Sequence, residues 1–240
     1  ICRSWAWAAR ASGGRPWPPV AGLLPEPEMQ ARSARSAPYD MGHDPKRYNY
    51  DAVKRAADFA ASGATSGKAS DTPQLIKLLA DPDSGVRYWA ATGLLIRKAS
   101  ASEALRAALE DTSPSVRIAA AEALGRYGTP EEQTRSVKAL LELASYAKNG
   151  LYVSTLAWNA IDHLPMETLR PHRTELEALD TGDQPRPPGP GRAPSPLRRL
   201  DSTEWAGSYD FPFGGGENTV TARAGEQPRN LKAAVLRKWK

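Results

Sequence analysis

The sequence predicts an all-α fold, a short α-solenoid of about three stacked helical hairpins with disordered or irregular ends. Three observations predict it. First, the chain says one thing twice. Asp81-Pro-Asp-Ser-Gly-Val86-Arg87-Tyr88-Trp89-Ala90-Ala91-Thr-Gly-Leu94 returns 30 residues on as Asp111-Thr-Ser-Pro-Ser-Val116-Arg117-Ile-Ala-Ala120-Ala121-Glu-Ala-Leu124. Second, apolar residues between 71 and 179 recur at helical spacing. Third, Pro, Gly and cap-forming residues cut this region into paired segments. A repeat of this length marks stacked hairpins, because one unit cannot bury its apolar face alone.

Residues 1–38 show no period and read as disordered; they are rich in Arg, Ala, Pro, Ser and Trp. The chain opens on Ile1 with no apolar run of signal-peptide type, and it reads as a piece of something longer. Residues 39–70 form a linker with one helix. Asp44-Pro45 marks a turn, and Asp51 starts a helix over 51–62 with Val53, Ala56, Ala57 and Ala60 on one stripe.

The repeat domain spans 71–180. Asp71 or Thr72 caps a short helix with Pro73 at its start and Leu75, Leu78 and Leu79 on its apolar face. Asp81–Gly85 is a turn, and Val86–Lys98 is the partner helix. The second hairpin runs from Ser102 to Glu110 and from Ser115 to Tyr127, ending at Gly128. Thr129-Pro130-Glu131-Glu132 opens the third, which turns at Lys148-Asn149-Gly150. Its second helix is Leu151–Leu164, where Val153, Ala157, Trp158 and Ile161 keep the repeat frame with Trp in place of the second Ala. Met166–Leu179 is a last amphipathic helix that closes the stack. Residues 181–240 form a Pro/Gly-rich irregular tail, with Asn230–Lys240 as a short, frayed basic helix.

Small residues at i and i+1 let neighbouring helices approach closely, and Leu and Val fill the layers between them. The Asp before each second helix satisfies free amides and the helix dipole. The Arg after Val is expected to lie along the stack and pair with such an Asp in the next unit.

Charge narrows the function classes. Residues 1–70 carry a net +4, residues 71–180 a net −3 and residues 181–240 a net +4. The basic balance therefore belongs to the ends, which argues against a nucleic-acid partner for the folded region, since phosphate binding needs its cations on the folded face. No apolar run reaches the length of a membrane span. A lone Cys2 excludes an intrachain disulfide and a multi-Cys metal site.

No catalytic, cofactor or metal constellation emerges. His43, His163 and His172 are scattered. Asp81 with Asp83 is half of a calcium loop and reads as helix capping. Gly214-Gly215-Gly216 lacks the Lys-Ser/Thr of a phosphate loop. The candidate interaction residues are Tyr88, Trp89, Arg87, Arg117, Tyr152 and Trp158, which recur near the starts of second helices and could line a groove; core packing is the competing role for the aromatics. The expected partner is a protein.

The Asp-x4-Val-Arg-x2-Ala-Ala-x2-Leu unit, over residues 71–164, resembles the HEAT repeat in its short, phycobilisome-lyase-like form. A narrower resemblance lies in Tyr39-Asp-Met-Gly-His-Asp-Pro45, in 83–95 and in 113–125, which are similar to the C-terminal HEAT region of bacterial sulfatases. That resemblance implies a catalytic domain upstream, sulfate-ester hydrolysis by a formylglycine made from Cys or Ser, a bound calcium ion, and a periplasmic or extracellular location. The formylglycine motif places Pro two residues after the Cys or Ser and Arg two further. Ser36-Ala37-Pro38-Tyr39-Asp40 has Asp where Arg belongs, and Cys2-Arg-Ser-Trp-Ala lacks both. The expectation is a non-catalytic module of such a protein, with its own catalytic domain as one possible partner. The alternative is a stand-alone or lyase-like HEAT scaffold.

Overall fold

The computed structural model describes residues 24–32, 49–66, 71–99, 101–182 and 226–239. Cys2, Ser36–Asp40, His43 and Gly214–Gly216 lie outside them, as do parts of the linker and most of the tail. In chain order the helices are α1 (Glu26–Arg32), α2 (Tyr50–Ser66), α3 (Thr72–Leu78), α4 (Ser84–Ile96), α5 (Ser102–Ala108), α6 (Pro114–Tyr127), α7 (Pro130–Ala144), α8 (Tyr146–Asp162), α9 (Met166–Leu169), α10 (Arg173–Ala178) and α11 (Glu226–Arg237). A 3₁₀ turn over Arg170–His172 joins α9 to α10. No strand occurs among the described residues. The all-α solenoid expected from the repeat is the observed fold.

Each repeat contributes a first helix (α3, α5, α7) and a second (α4, α6, α8), and each pair packs together. The second helices form a continuous layer, α4 on α6 and α6 on α8. Where they meet, Ala90 and Ala91 of α4 and Ala120 and Ala121 of α6 are fully buried. Short side chains are what let the helix axes come this close. Leu75, Leu94, Leu105, Leu124, Leu140 and Ile161 fill the space between the layers.

Local chemistry sets the helix ends. Asp83 and Ser113 stand at equivalent positions and cap α4 and α6: the Asp83 carboxylate accepts from Gly85 N at 2.8 Å, and Ser113 Oγ accepts from Val116 N at 3.4 Å. Two residues earlier, Asp81 Oδ1 accepts from Asp83 N and Asp111 Oδ1 accepts from Ser113 N, both at 2.8 Å, so the two turns share one conformation. Thr129 and Glu132 form a full capping box at the start of α7. Within α8 the chain kinks at Gly150 (φ 71°), where a β-carbon would be strained, so that Tyr146–Asn149 is a single turn ahead of the helix proper.

The stack has a fourth member in its layer of second helices. The helix expected at 51–62 extends over Tyr50–Ser66 and packs on the face of α4 opposite α6, burying Val53, Ala56, Ala57 and Ala60. Ala56-Ala57 is thus a third alanine pair serving close approach. Arg97 fastens it: its guanidinium donates to the carbonyls of Phe59 (2.9 Å) and Ala60 (3.0 Å) and to Asp71 (3.2 Å), and lies over the Phe59 ring.

The ends of the chain hold more structure than their composition suggests. Within the aperiodic stretch 1–38, Leu24–Arg32 is ordered against the repeats. Within the tail, α11 packs on α8 and α10 and buries Val235 completely. Lys232 Nζ donates to the carbonyls of Glu177 and Leu179 at 2.7 Å each, a cation placed at the C-terminal end of α10. Lys238 pairs with Asp162 at 2.8 Å. The expected last helix, Met166–Leu179, is interrupted at Pro171, yet Leu169 and Leu176 are still fully buried.

Substituting Ala120→Leu inserts a branched side chain where two helices touch. It should lower stability by about 2–3 kcal/mol, read as a shift in the urea midpoint at unchanged slope. Ala107→Leu, on the exposed side of α5, should change it by less than about 0.5 kcal/mol.

Candidate functional site

The second helices together line a small groove. Tyr88, Thr92 and Leu95 from α4, Ile118, Ala119 and Glu122 from α6, and Leu156, Asn159 and Ala160 from α8 line it, with His163 at the end of α8. The spacing follows from the helix period: residues three and four apart share a face, so each helix offers one stripe. Its lining is more apolar than polar. Glu122 and the His163 ring nitrogen Nδ1 lie 3.0 Å apart across the α6–α8 step. Nothing in the groove pairs a nucleophile with a base. Among the described residues no group of three His, Cys, Asp or Glu side chains could hold a metal ion.

The six candidate interaction residues do not gather at one place. Tyr88 lines the groove, its ring edge-on to Trp89 with centroids 5.5 Å apart. Trp89 itself is buried against Val53, Ala57 and Val86, and Trp158 is fully buried in the main core. Tyr152 is exposed near the start of α8. Arg87 and Arg117 lie on the turn edge of the stack, away from the groove lining. His172 pairs with Glu175 at 2.6 Å and has no part in the groove.

Along that turn edge runs a ladder of ion pairs. Arg87 Nε and Nη2 donate to the two carboxylate oxygens of Asp111 at 2.7 and 2.8 Å, while Nη1 donates to the carbonyls of Asp81 and Pro82. One side chain thereby fixes its own turn and the next unit's. The rung changes in the third unit, where Lys148 stands in the frame position of Asp81 and Asp111. Arg117 instead donates to the Leu109 carbonyl at 3.0 Å and reaches Glu142 at 3.4 Å.

The N-terminal helix α1 crosses this edge. Glu28 is 3 % exposed, and its carboxylate accepts from Ser84 Oγ at 2.6 Å and from the Ser113 hydroxyl, so it bridges the starts of α4 and α6. Arg32 forms a two-pronged pair with Asp83, Nη1 to Oδ2 at 3.0 Å. Leu24 is buried in the cluster of Val53, Val86 and Trp89. None of these three was visible as a site in sequence, because α1 carries no repeat frame. The signal that existed was the four-residue spacing of Leu24, Glu28 and Arg32, of which the last two lie on the helix and Leu24 just ahead of it.

Burial pushes the Asp83 and Asp111 carboxyls up, but hydrogen bonds from Arg32 and Asn49 to Asp83, and from Arg87 and the Ser113 amide to Asp111, outweigh it and hold both below the usual carboxylate range. The Thr129 amide and, from α5, Ser102 and Arg106 do the same for Glu132 despite burial. A carboxylate with a depressed folded pKa contributes stability that is present above its unfolded pKa, near 4, and is lost as pH falls through the folded value. The urea midpoint should therefore stay level above about pH 5 and fall steadily below about pH 4. An Arg87→Gln/Asp111→Asn double variant, with one rung removed, should show a shallower fall.

Residues 72–159 match the family model for HEAT repeats. No curated protein and no solved structure matches the chain. The match falls on the three hairpins described above, and over this stretch the chain is similar to HEAT repeats.

Proposed function

We propose that the repeat domain is a non-catalytic protein-interaction module that holds a partner along the groove of its second helices. The observation that carries this reading is the groove itself: three successive helices supply its walls, and Tyr88, Leu95, Ile118 and Leu156 line it together with Thr92, Glu122, Asn159 and His163. A largely apolar lining with a few polar groups suits a protein segment. HEAT-type stacks also offer an extended surface whose outer residues are free to vary without loss of the core.

The finer reading places this module at the C-terminal side of a sulfatase, with its own catalytic domain as the partner. Support comes from the wording of residues 39–45, 83–95 and 113–125, since those positions go beyond what the repeat frame requires. The purified chain is then expected to show no sulfate-ester hydrolysis. A continuous coding sequence upstream of Ile1 with a Cys/Ser-x-Pro-x-Arg motif supports it. An upstream sequence without the motif leaves the stand-alone scaffold in its place.

The groove is tested by photocrosslinking. A photoreactive residue at Asn159 should capture one protein from the source cell, and the same residue at the exposed Lys138 of α7 should not. Tyr88→Ala should reduce capture about ten-fold, the effect of losing one aromatic anchor at an interface, with the circular dichroism spectrum unchanged. Equal capture from both positions would falsify the groove as the binding face.

A further inference from the structure

The contacts of α1 are those of a bound peptide. It belongs to no repeat, and residues 33–49 separate it from α2. It packs on α6 and α8 and meets the stack through three anchors: Leu24, just ahead of the helix, in an apolar pocket of Val53, Val86 and Trp89, Glu28 against two serine hydroxyls, and Arg32 against the Asp83 carboxylate. The serines come from consecutive repeats, and Ser113 also caps α6, so the Glu28 carboxylate sits where two helix N-termini of full length converge. Such a place favours an anion, and it is filled here by a buried one rather than by solvent.

Gly85 adds an independent sign. It lies in the first turn of α4, where alanine is the better helix former. A β-carbon there would come within 2.7 Å of Arg32 Nη2 and 2.8 Å of Leu24 Cδ2, and within 3.1 Å of the capping Asp83 Oδ1. A side chain at this position would therefore displace two of the anchors of α1 as well as crowd the cap.

We propose that the cleft at the turn edge of α4 and α6 is a peptide-recognition site for a helical segment of the pattern Leu-x3-Glu-x3-Arg, and that residues 24–32 occupy it as a ligand in cis. The leucine fills the pocket, the carboxylate takes both hydroxyls and the arginine closes on Asp83. A partner segment with the same three groups competes with α1 for the site. The covalent tether gives α1 an effective concentration in the millimolar range, so a free peptide succeeds only when the tethered copy is weakened.

The test uses the full chain and a fluorescent peptide of residues 23–33. A Leu24→Ala/Glu28→Gln/Arg32→Ala chain keeps the cleft and loses the tethered anchors. It should bind the peptide at least about ten-fold more tightly than the wild-type chain does, and adding Gly85→Ala should weaken that binding. A triple variant that folds, by circular dichroism and thermal unfolding, and does not bind overturns the proposal. Equal binding to the wild-type and triple-variant chains overturns it as well. Should the triple variant fail to fold, Gly85→Ala alone decides: trypsin cleavage after Arg32 should accelerate about ten-fold while the repeat region resists as before, and an unchanged rate of cleavage after Arg32 overturns the proposal.

Discussion

Everything in this molecule depends on how closely its second helices approach. Three alanine pairs, Ala56-Ala57, Ala90-Ala91 and Ala120-Ala121, lie fully or almost fully buried in successive helices. With no side chain beyond Cβ at these positions, the leucines of the first helices reach across and close the layers. Larger residues at one pair would push two helices apart and open every contact beyond it, because a solenoid transmits displacement from neighbour to neighbour. At the end of the stack the constraint relaxes. Trp158 takes the second alanine's place in α8, whose packing partners include α11 in place of a further repeat.

Spacing alone does not fix the relative rotation of the units. The ladder on the turn edge supplies that. Arg87 ties its own turn to Asp111 through two parallel bonds, a geometry that a guanidinium and a carboxylate meet together and that a lysine would not reproduce. The same edge therefore carries the recurring frame of the repeat unit and the start of each second helix. Its carboxylates and hydroxyls face outward to α1, while the opposite stripe of the same helices forms the groove. One set of helices thus presents two chemically different surfaces, a polar edge of carboxylates and hydroxyls and an apolar channel.

The two ends gain order by different means. α11 is held by burial of Val235 and by lysines at carbonyl groups and at Asp162, so it extends the main core. α1 packs on α6 and α8 and is held by polar anchors at one edge and by Leu24 in a separate small cluster. The first behaves as part of the domain. The second has the character of a ligand, and the glycine at position 85 fits that character.

Sequence by itself determined the repeat, its helical class and the chemistry of its caps. Val-Arg, Ala-Ala and Leu recur in register, and helix capping is a local interaction that needs only a few consecutive residues, as at Thr129–Glu132. The rung from Arg87 to Asp111 was also legible, because a repeat that stacks must place equivalent residues side by side. Tertiary structure alone decided the rest. Whether Trp89 and Trp158 lie in a groove or in the core depends on which neighbour covers them, and periodicity gives the face of a helix without naming its partner. The membership of α2 in the stack was hidden because residues between Ala60 and Ala90 break the 30-residue spacing. The anchors Leu24, Glu28 and Arg32 pair with residues more than twenty positions away in a segment with no period of its own. A set of three residues acquires meaning only when the surface it meets has been assembled.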